Sequence, residues 1–156
     1  MKISIDTLAK FLGKSERTAW RLLSDNMIKT EIVAGKTKVE LNYVRSYFNQ
    51  NIQNLTDDLI KSCDLGDPSA ETDIAVELLE MGNYKEAIIW LNSAADKNFP
   101  DSLQILGDLY LKGIGTIPDY TKGIMLIAKA ATLGHQIALA QIDGLTNFSH
   151  PKPSIV

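Results

Sequence analysis

The sequence predicts a mainly α protein: a small winged helix-turn-helix with a β-hairpin wing, followed by an α-solenoid of about two helical-hairpin repeats. Three observations predict this fold class. Apolar residues recur at helical spacing along most of the 156 residues. A short stretch rich in β-branched residues interrupts that pattern between residues 28 and 41. The second half of the chain repeats itself weakly at an offset of 36 residues.

Length and composition predict a soluble globular protein of one ordinary domain or two small ones. Hydrophobic residues make up 45% and charged residues 22% of the chain. No apolar run approaches the roughly 20 residues of a membrane span, and the first residues lack the pattern of a signal peptide. A single cysteine, Cys63, excludes an internal disulfide. We therefore expect a cytoplasmic protein without a membrane partner.

The net charge of −3 conceals two halves of opposite sign. Residues 1–50 carry nine lysines and arginines against five acidic residues, so residues 51–156 carry the remaining seven against 14. A basic head on an acidic body indicates two modules with different partners.

Two short helices joined by a glycine-containing turn open the chain. Ser4 can cap the first helix, whose apolar residues recur at helical spacing as far as Phe11. Gly13 can adopt the left-handed conformation that ends a helix. Ser15 can then cap a second helix from Glu16 to about Asp25. This arrangement matches the helix-turn-helix signature.

A β-hairpin is predicted to follow the second helix. β-Branched residues precede a turn at Ala34–Lys36, and alternation of apolar and polar residues resumes over residues 37–41. Lys36 would lie at the tip of this hairpin and Lys38 on its returning strand. Asn42 can cap a third helix. The order helix, turn, helix, hairpin, helix is that of a winged helix-turn-helix.

The second helix presents a face suited to DNA. Arg17 and Arg21 lie opposite its apolar stripe, and arginine can bind guanine O6 and N7 with two hydrogen bonds. Ser15 and Thr18 can reach phosphate through their hydroxyls. The alternative for the arginines is an ordinary solvated face with Arg21 paired to Asp25 four residues on.

Two further residues of the second helix remain open to more than one interpretation. Trp20 could pack half-buried under the hairpin or contact the DNA backbone. Glu16 could accept a hydrogen bond from a cytosine amino group. It could instead lie at the helix N-terminus because the helix dipole favours negative charge there.

The segments "IDTLAKFLGKSERTAWRLLSDNMI", "VAGKTKV" and "LNYVRSYF" resemble the winged helix-turn-helix family of excisionases and MerR-type regulators. The resemblance implies double-stranded DNA as a partner and a homodimer, since one small head makes few base contacts. Glu16 and Asn26 depart from the family pattern. The DNA-binding positions that it implies are Ser15, Glu16, Arg17, Thr18, Trp20, Arg21, Lys36 and Lys38.

The remainder of the chain is predicted to be a linker helix, a repeat module and a tail. The linker helix covers residues 51–65 and ends before a Gly-Asp-Pro stretch. Residues 84–103 then align with residues 120–139, and an upstream segment aligns at an offset of 31. Each unit is a helical hairpin of roughly 36 residues. The module extends over residues 66–146, and residues 147–156 form a flexible tail.

The second copy resembles a Sel1-like repeat, a relative of the tetratricopeptide repeat. This resemblance implies a face that holds a protein partner, although the repeats could instead serve dimerisation or stability. The matching residues are Leu106, Gly107, Leu109, Tyr110, Gly113, Ile114, Gly115, Asp119, Lys122, Ala130, Ala131 and Gly134.

No motif predicts catalysis, a metal site or a cofactor. The stretch "GIGT" follows a helix and lacks the lysine of a phosphate loop, so it is interpreted as a repeat turn. His135 and His150 are too isolated for a metal site, and Trp90 is interpreted as a core residue. The leading hypothesis is a DNA-binding transcriptional regulator with Sel1-like repeats. The alternatives are a protein–protein adaptor with a degenerate winged domain, or an excisionase-type architectural factor.

Overall fold

The fold is mainly helical, and its helices begin at the capping residues that the sequence supplies. The computed structural model describes residues 1–48, 52 and 55–149, with side chains as far as residue 145. The chain divides into two compact units, Met1–Trp90 and Leu91–Val156, so that the division falls inside one helix. The boundaries predicted from the sequence, after residues 50, 65 and 146, separate sequence modules and not these compact units. They stay a prediction.

The two predicted N-terminal helices are confirmed, together with their caps. α1 extends over Ile5–Leu12, and the Ser4 hydroxyl accepts a hydrogen bond from the Thr7 amide. α2 extends over Glu16–Asp25, and the Ser15 hydroxyl accepts from the Thr18 amide in the same way. Gly13, at φ +60°, ends α1 in the left-handed conformation that favours glycine.

The predicted hairpin is confirmed, and a third strand joins it. β2 (Thr30–Val33) and β3 (Lys36–Glu40) pair antiparallel. β1 (Lys2–Ser4) pairs with the other side of β3, so the strand order is β1-β3-β2. In this register Ile3 lies opposite Val39. β3 is therefore a central strand rather than the free edge of an isolated hairpin.

The third helix differs from the prediction. α3 begins at Leu41 and extends only to Val44, before a 3₁₀ turn at Arg45–Tyr47. Asn42 does not cap it, because the Leu41 amide bonds to the carbonyl of Met1 and the strand leads directly into the helix. Asn42 is thus already inside the first turn.

The linker helix is also shorter than predicted. α4 covers Asp57–Asp64, because the Thr56 hydroxyl accepts a hydrogen bond from the Leu59 amide and caps the helix there. The predicted stretch at residues 51, 53 and 54 lies outside the described residues.

The core of the first unit is aromatic and holds α1 in place. The Phe11 ring stacks on Phe48 at 4.7 Å between centroids and meets Trp90 at 4.8 Å. Trp90 is 1% exposed, which confirms its interpretation as a core residue. Beside it, the Lys10 ammonium lies 3.3 Å from the Glu71 carboxylate and 5.6 Å from the Trp90 ring centroid. Glu71, at 1% exposed, is thereby buried with a counter-charge.

The second half of the chain consists of helices whose spacing follows the predicted repeat. Tyr84 and Tyr120 begin helices of equal length 36 residues apart, and Pro68 and Pro100 begin the helices that precede them. The bounds are Pro68–Glu80 for α5, Tyr84–Asp96 for α6, Pro100–Lys112 for α7, Tyr120–Thr132 for α8 and Gln136–Ser149 for α9. α9 extends three residues into the predicted tail, and residues 150–156 lie outside the described part.

Two glycines allow α7 and α8 to approach closely in the second unit. A Cβ added to Gly107 would lie 2.6 Å from Ile127 Cγ1 and 2.9 Å from the carbonyl oxygen of Gly123. A Cβ on Gly123 would lie 2.7 Å from Leu111 and 2.9 Å from the Gly107 carbonyl oxygen. Neither helix could approach as closely with any other residue at these positions. Among the described helices, none is long and apolar enough to cross a membrane.

Candidate functional site

The predicted DNA-binding residues of α2 lie on two neighbouring surfaces. Arg17, Thr18 and Arg21 line one depression of about 430 Å³. Both arginines are exposed, and within the described ranges neither forms an ion pair, so the alternative pairing of Arg21 with Asp25 is not present. This surface is called the arginine face below. Its guanidinium groups keep their hydrogen-bond donors available to an anion.

The hydroxyls at the start of α2 are already engaged with each other. Ser15 Oγ accepts the Thr18 amide and lies 3.1 Å from Thr18 Oγ1. Both residues thus stabilise the helix N-terminus, and Thr18 also borders the arginine face. Glu16 occupies the first helical position, where the dipole favours a carboxylate.

Trp20 lies on the second surface, in a cleft of about 280 Å³ between α2, the start of α1 and the hairpin. Trp20 is 43% exposed. Glu16 and Asp6 place two carboxylates in the same cleft, and Lys36 contributes one ammonium group from the hairpin. The cleft is thus less basic than the arginine face, although both belong to the same helix.

Lys38 has its charge engaged inside the fold. Its ammonium group lies 2.7 Å from Oδ2 of Asp64, whose side chain is 4% exposed. The Ser4 amide donates to the other carboxylate oxygen, also at 2.7 Å. Burial alone would raise the pKa of Asp64, but the hydrogen bonds from Lys38 and Ser4 outweigh it and hold the pKa below its usual value. A DNA phosphate would have to compete with this carboxylate for Lys38.

The glycine stretch that resembles a phosphate loop is a turn between α7 and α8. Gly113 caps α7 at φ +65°, and the Asp119 amide returns to the Tyr110 carbonyl at 2.9 Å. Asp119 then caps α8 by accepting the Lys122 amide. Helices flank the stretch on both sides, as expected for a repeat turn.

His135 has both ring nitrogens in use within the second unit. Its Nδ1 accepts the Ala138 amide at 3.2 Å, and its Nε2 lies 3.3 Å from an Asp101 oxygen. These contacts help to start α9. No group of three or more potential metal ligands occurs in the described part of the chain, and His150 lies outside it.

An apolar groove that the sequence did not reveal runs along α8. It has a volume of about 300 Å³, and Met125, at 67% exposed, lines it together with the partly buried Leu126. Asp119, Thr121, Lys122 and Lys129 complete its lining. Lys122 also donates to the Tyr110 hydroxyl at 2.6 Å. The signal that could have found this groove is the offset of 36 residues, which aligns Leu126 with the buried Trp90.

Comparison with known proteins identifies the repeats. Residues 68–99 and 100–135 each match the Sel1 repeat family. A solved structure, the crystal structure of a Sel1 repeat protein from Oxalobacter formigenes, is 32% identical, with a TM-score of 0.48. That match covers 52% of this chain and 64% of the Oxalobacter chain, so this chain spans less than two thirds of that protein. No curated protein matches this sequence. The C-terminal region therefore carries Sel1 repeats, and the winged helix-turn-helix resemblance stays a prediction.

Proposed function

We propose that this protein is a non-enzymatic adaptor whose Sel1 repeats bind a protein partner. The observation that carries the proposal is the pair of Sel1 repeats at residues 68–135, because such repeats imply a role in protein–protein interaction. Helical repeats of this kind present extended surfaces on which partners dock.

The two repeats offer different surfaces to a partner. In the first, Trp90 and Glu71 are buried by contacts with Phe11 and Lys10 of α1. Both repeats leave large apolar side chains exposed, but those of the second are more exposed, as is typical of interaction surfaces. Tyr120 is 68% exposed against 42% for Tyr84 at the corresponding position, and Met125 is 67% exposed against 39% for Ile89. We therefore assign the partner to the second repeat.

Direct binding followed by cross-linking tests the proposal. A partner isolated with the full chain is purified, titrated against it and cross-linked, and we expect the cross-links to fall within residues 100–135. Cross-links confined to α2 or the hairpin, or no binding between the purified proteins, would contradict the adaptor function.

DNA binding through the first unit is a second candidate, and the arginine face supports it. Arg17 and Arg21 project from one helix with Thr18 between them, and no described acidic residue neutralises them. Arginines placed in this way can bind phosphates and guanine edges. A role as a transcriptional regulator, or as an excisionase-type architectural factor, would follow, with a homodimer supplying two reading heads. A cytoplasmic location is part of the same proposal.

Fluorescence anisotropy with labelled duplexes tests this candidate. We expect R17A/R21A to weaken binding at least about tenfold at low salt, because two phosphate or base contacts are lost. The matched control K112A/K129A removes two exposed lysines from the second unit and should leave the affinity unchanged. Equal affinities of the wild type and R17A/R21A for DNA would exclude the arginine face as the DNA-binding surface.

A further inference from the structure

Each Sel1 repeat contains two long helices, and the second of them, called the B helix, is α6 in the first repeat and α8 in the second. Corresponding surfaces of these two B helices differ in how far other residues cover them. The offset of 36 residues places Glu86 with Lys122 and Trp90 with Leu126. In α6 the chain itself covers the Trp90 part of this surface, whereas Ile89, at the position of Met125, is 39% exposed. Phe11 lies 4.8 Å from Trp90 between ring centroids. A Cβ on Gly13 would lie only 3.2 Å from the Glu86 side chain.

In α8 the corresponding surface is uncovered and forms the apolar groove. Met125 is 67% exposed, and Lys122 and Lys129 are exposed on either side. Trp90, at the position that corresponds to Leu126, has α1 packed on it and is only 1% exposed. The α8 groove thus has the position of a helix-docking surface.

The charge of the surface has changed between the two repeats. Glu86 of α6 is replaced by Lys122 in α8, and Ser93 is replaced by Lys129. Lys129 forms no ion pair with any residue in the described ranges. In the first repeat the covering helix contributes Lys10, which pairs with Glu71 of α5. At the α8 groove the two lysines, Lys122 and Lys129, outnumber the single carboxylate of Asp119, so acidic residues on a covering helix would complement its charge.

We propose that the α8 groove binds an acidic amphipathic helix of a partner protein. A large apolar side chain of that helix packs on Met125 and Leu126, as Phe11 packs on Trp90 in the first repeat. A carboxylate about one helical turn away pairs with Lys129. The proposal rests on the proposed protein-binding function and names its site and the chemistry of its partner.

Peptides selected from a random 16-residue display library on the full chain are the probes. We expect enriched peptides to combine acidic residues with large apolar ones at a spacing of three or four residues. Each peptide is then titrated into the full chain carrying ¹³C-methyl methionine. The four methionines lie in separate places, and Met125 alone lies in the groove. We expect the Met125 methyl resonance to shift, while those of Met1, Met27 and Met81 stay unchanged.

Variants supply the charge test. K129E should weaken binding about tenfold, and a peptide with its acidic residues changed to lysine should bind K129E better than the wild type. The matched control K85E reverses a lysine of α6 and should have no effect. Likewise, M125Q should weaken binding, whereas I89Q at the corresponding position of α6 should not.

The outcomes separate this inference from the function beneath it. Peptides that bind M125Q and K129E with the same affinity as the wild type, or that shift the methyl resonance of Met81 instead of Met125, would overturn the groove as the binding site. The adaptor function would remain. Failure to enrich any binding peptide, together with no partner that binds the purified chain, would overturn both.

Discussion

The two Sel1 repeats have the same order of helices, but Trp90 of the first is buried whereas Leu126, at the corresponding position of the second, is only partly buried. In the first repeat, Trp90 and Glu71 are buried, and both contact α1. In the second, the positions of these residues are held by Leu126 and Leu103, and the surface around Leu126 is an open groove.

This difference shows how a repeat can be adapted to the N-terminal elements of its own chain. A large aromatic ring and a buried carboxylate are costly on a free surface or without a partner. They occur where α1 supplies Phe11 and Lys10, and they are replaced by leucines where α1 does not reach. The exchange of Trp90 for Leu126 thus accompanies a change from a buried to a partly exposed position, whereas Leu103 is buried like Glu71 but carries no charge that needs a partner.

Removal of Trp90 should have the largest effect on this comparison. Trp90→Ala empties a fully buried site between α1 and α6, so we expect the free energy of unfolding to fall by about 3 to 5 kcal/mol. The matched variant Leu126→Ala, at the partly exposed position of α8, should cost about 1 kcal/mol. Urea unfolding followed by circular dichroism measures both. Equal losses would show that the two surfaces do not differ in the way described.

Disruption of the buried ion pair should have the next largest effect. Lys10→Met removes the ammonium group that lies 3.3 Å from the buried Glu71 carboxylate, so we expect a loss of about 2 to 3 kcal/mol, at the lower end for a buried pair because Lys10 keeps some contact with water. The double variant Lys10→Met/Glu71→Leu imitates the second repeat, where Leu103 holds the position. It should recover most of the loss, and a double variant no more stable than Lys10→Met would contradict this account.

The glycine crossing of the second repeat should give a smaller effect. Counted from Pro68 and Pro100, Gly107 corresponds to Ala75 of the first repeat. Gly107→Ala places a Cβ 2.9 Å from the Gly123 carbonyl, and we expect overpacking to cost about 1 to 3 kcal/mol. The better helix propensity of alanine offsets about 1 kcal/mol of this. Thermal unfolding should therefore show a net destabilisation, and a more stable variant would refute the close crossing.

The pH dependence of the first unit should give the smallest effect. The pKa of folded Asp64 lies below the ordinary value of 3.8, so its pairing with Lys38 contributes stability above the unfolded pKa. That stability is lost as the pH falls through the folded pKa. Between about pH 6 and pH 2.5, the free energy of unfolding should thus fall by more for the wild type than for Asp64→Asn. Parallel pH profiles for the two proteins would show that Asp64 is not responsible.

Local features of this fold followed from the sequence, whereas long-range contacts did not. Ser4 and Ser15 predicted the starts of two helices because a cap acts within three residues. The pairing of β1 with β3 had no such local indication in the sequence. Because of it, the third helix begins at Leu41 and is not capped by Asn42 as predicted. The engagement of Lys38 by Asp64 likewise depends on residues far apart in the chain.

The candidate sites divide in the same manner. Helical periodicity predicted that Arg17 and Arg21 share an exposed face, since the period fixes which residues of α2 oppose its apolar stripe. The α8 groove could not be predicted from periodicity, because Met125 and Leu126 look like core residues until the packing is known. Only the contact of Phe11 with Trp90 shows which surface of a B helix a second helix can cover.

Cys63 can report how often α4 of the first unit opens transiently. It is the single cysteine of the chain, it is 3% exposed, and it lies in α4 next to Asp64. A thiol reagent can modify it only while α4 is transiently open. The labelling rate of the unaltered protein therefore counts these openings, and a partner or DNA that stabilises the first unit would slow the reaction without touching the thiol.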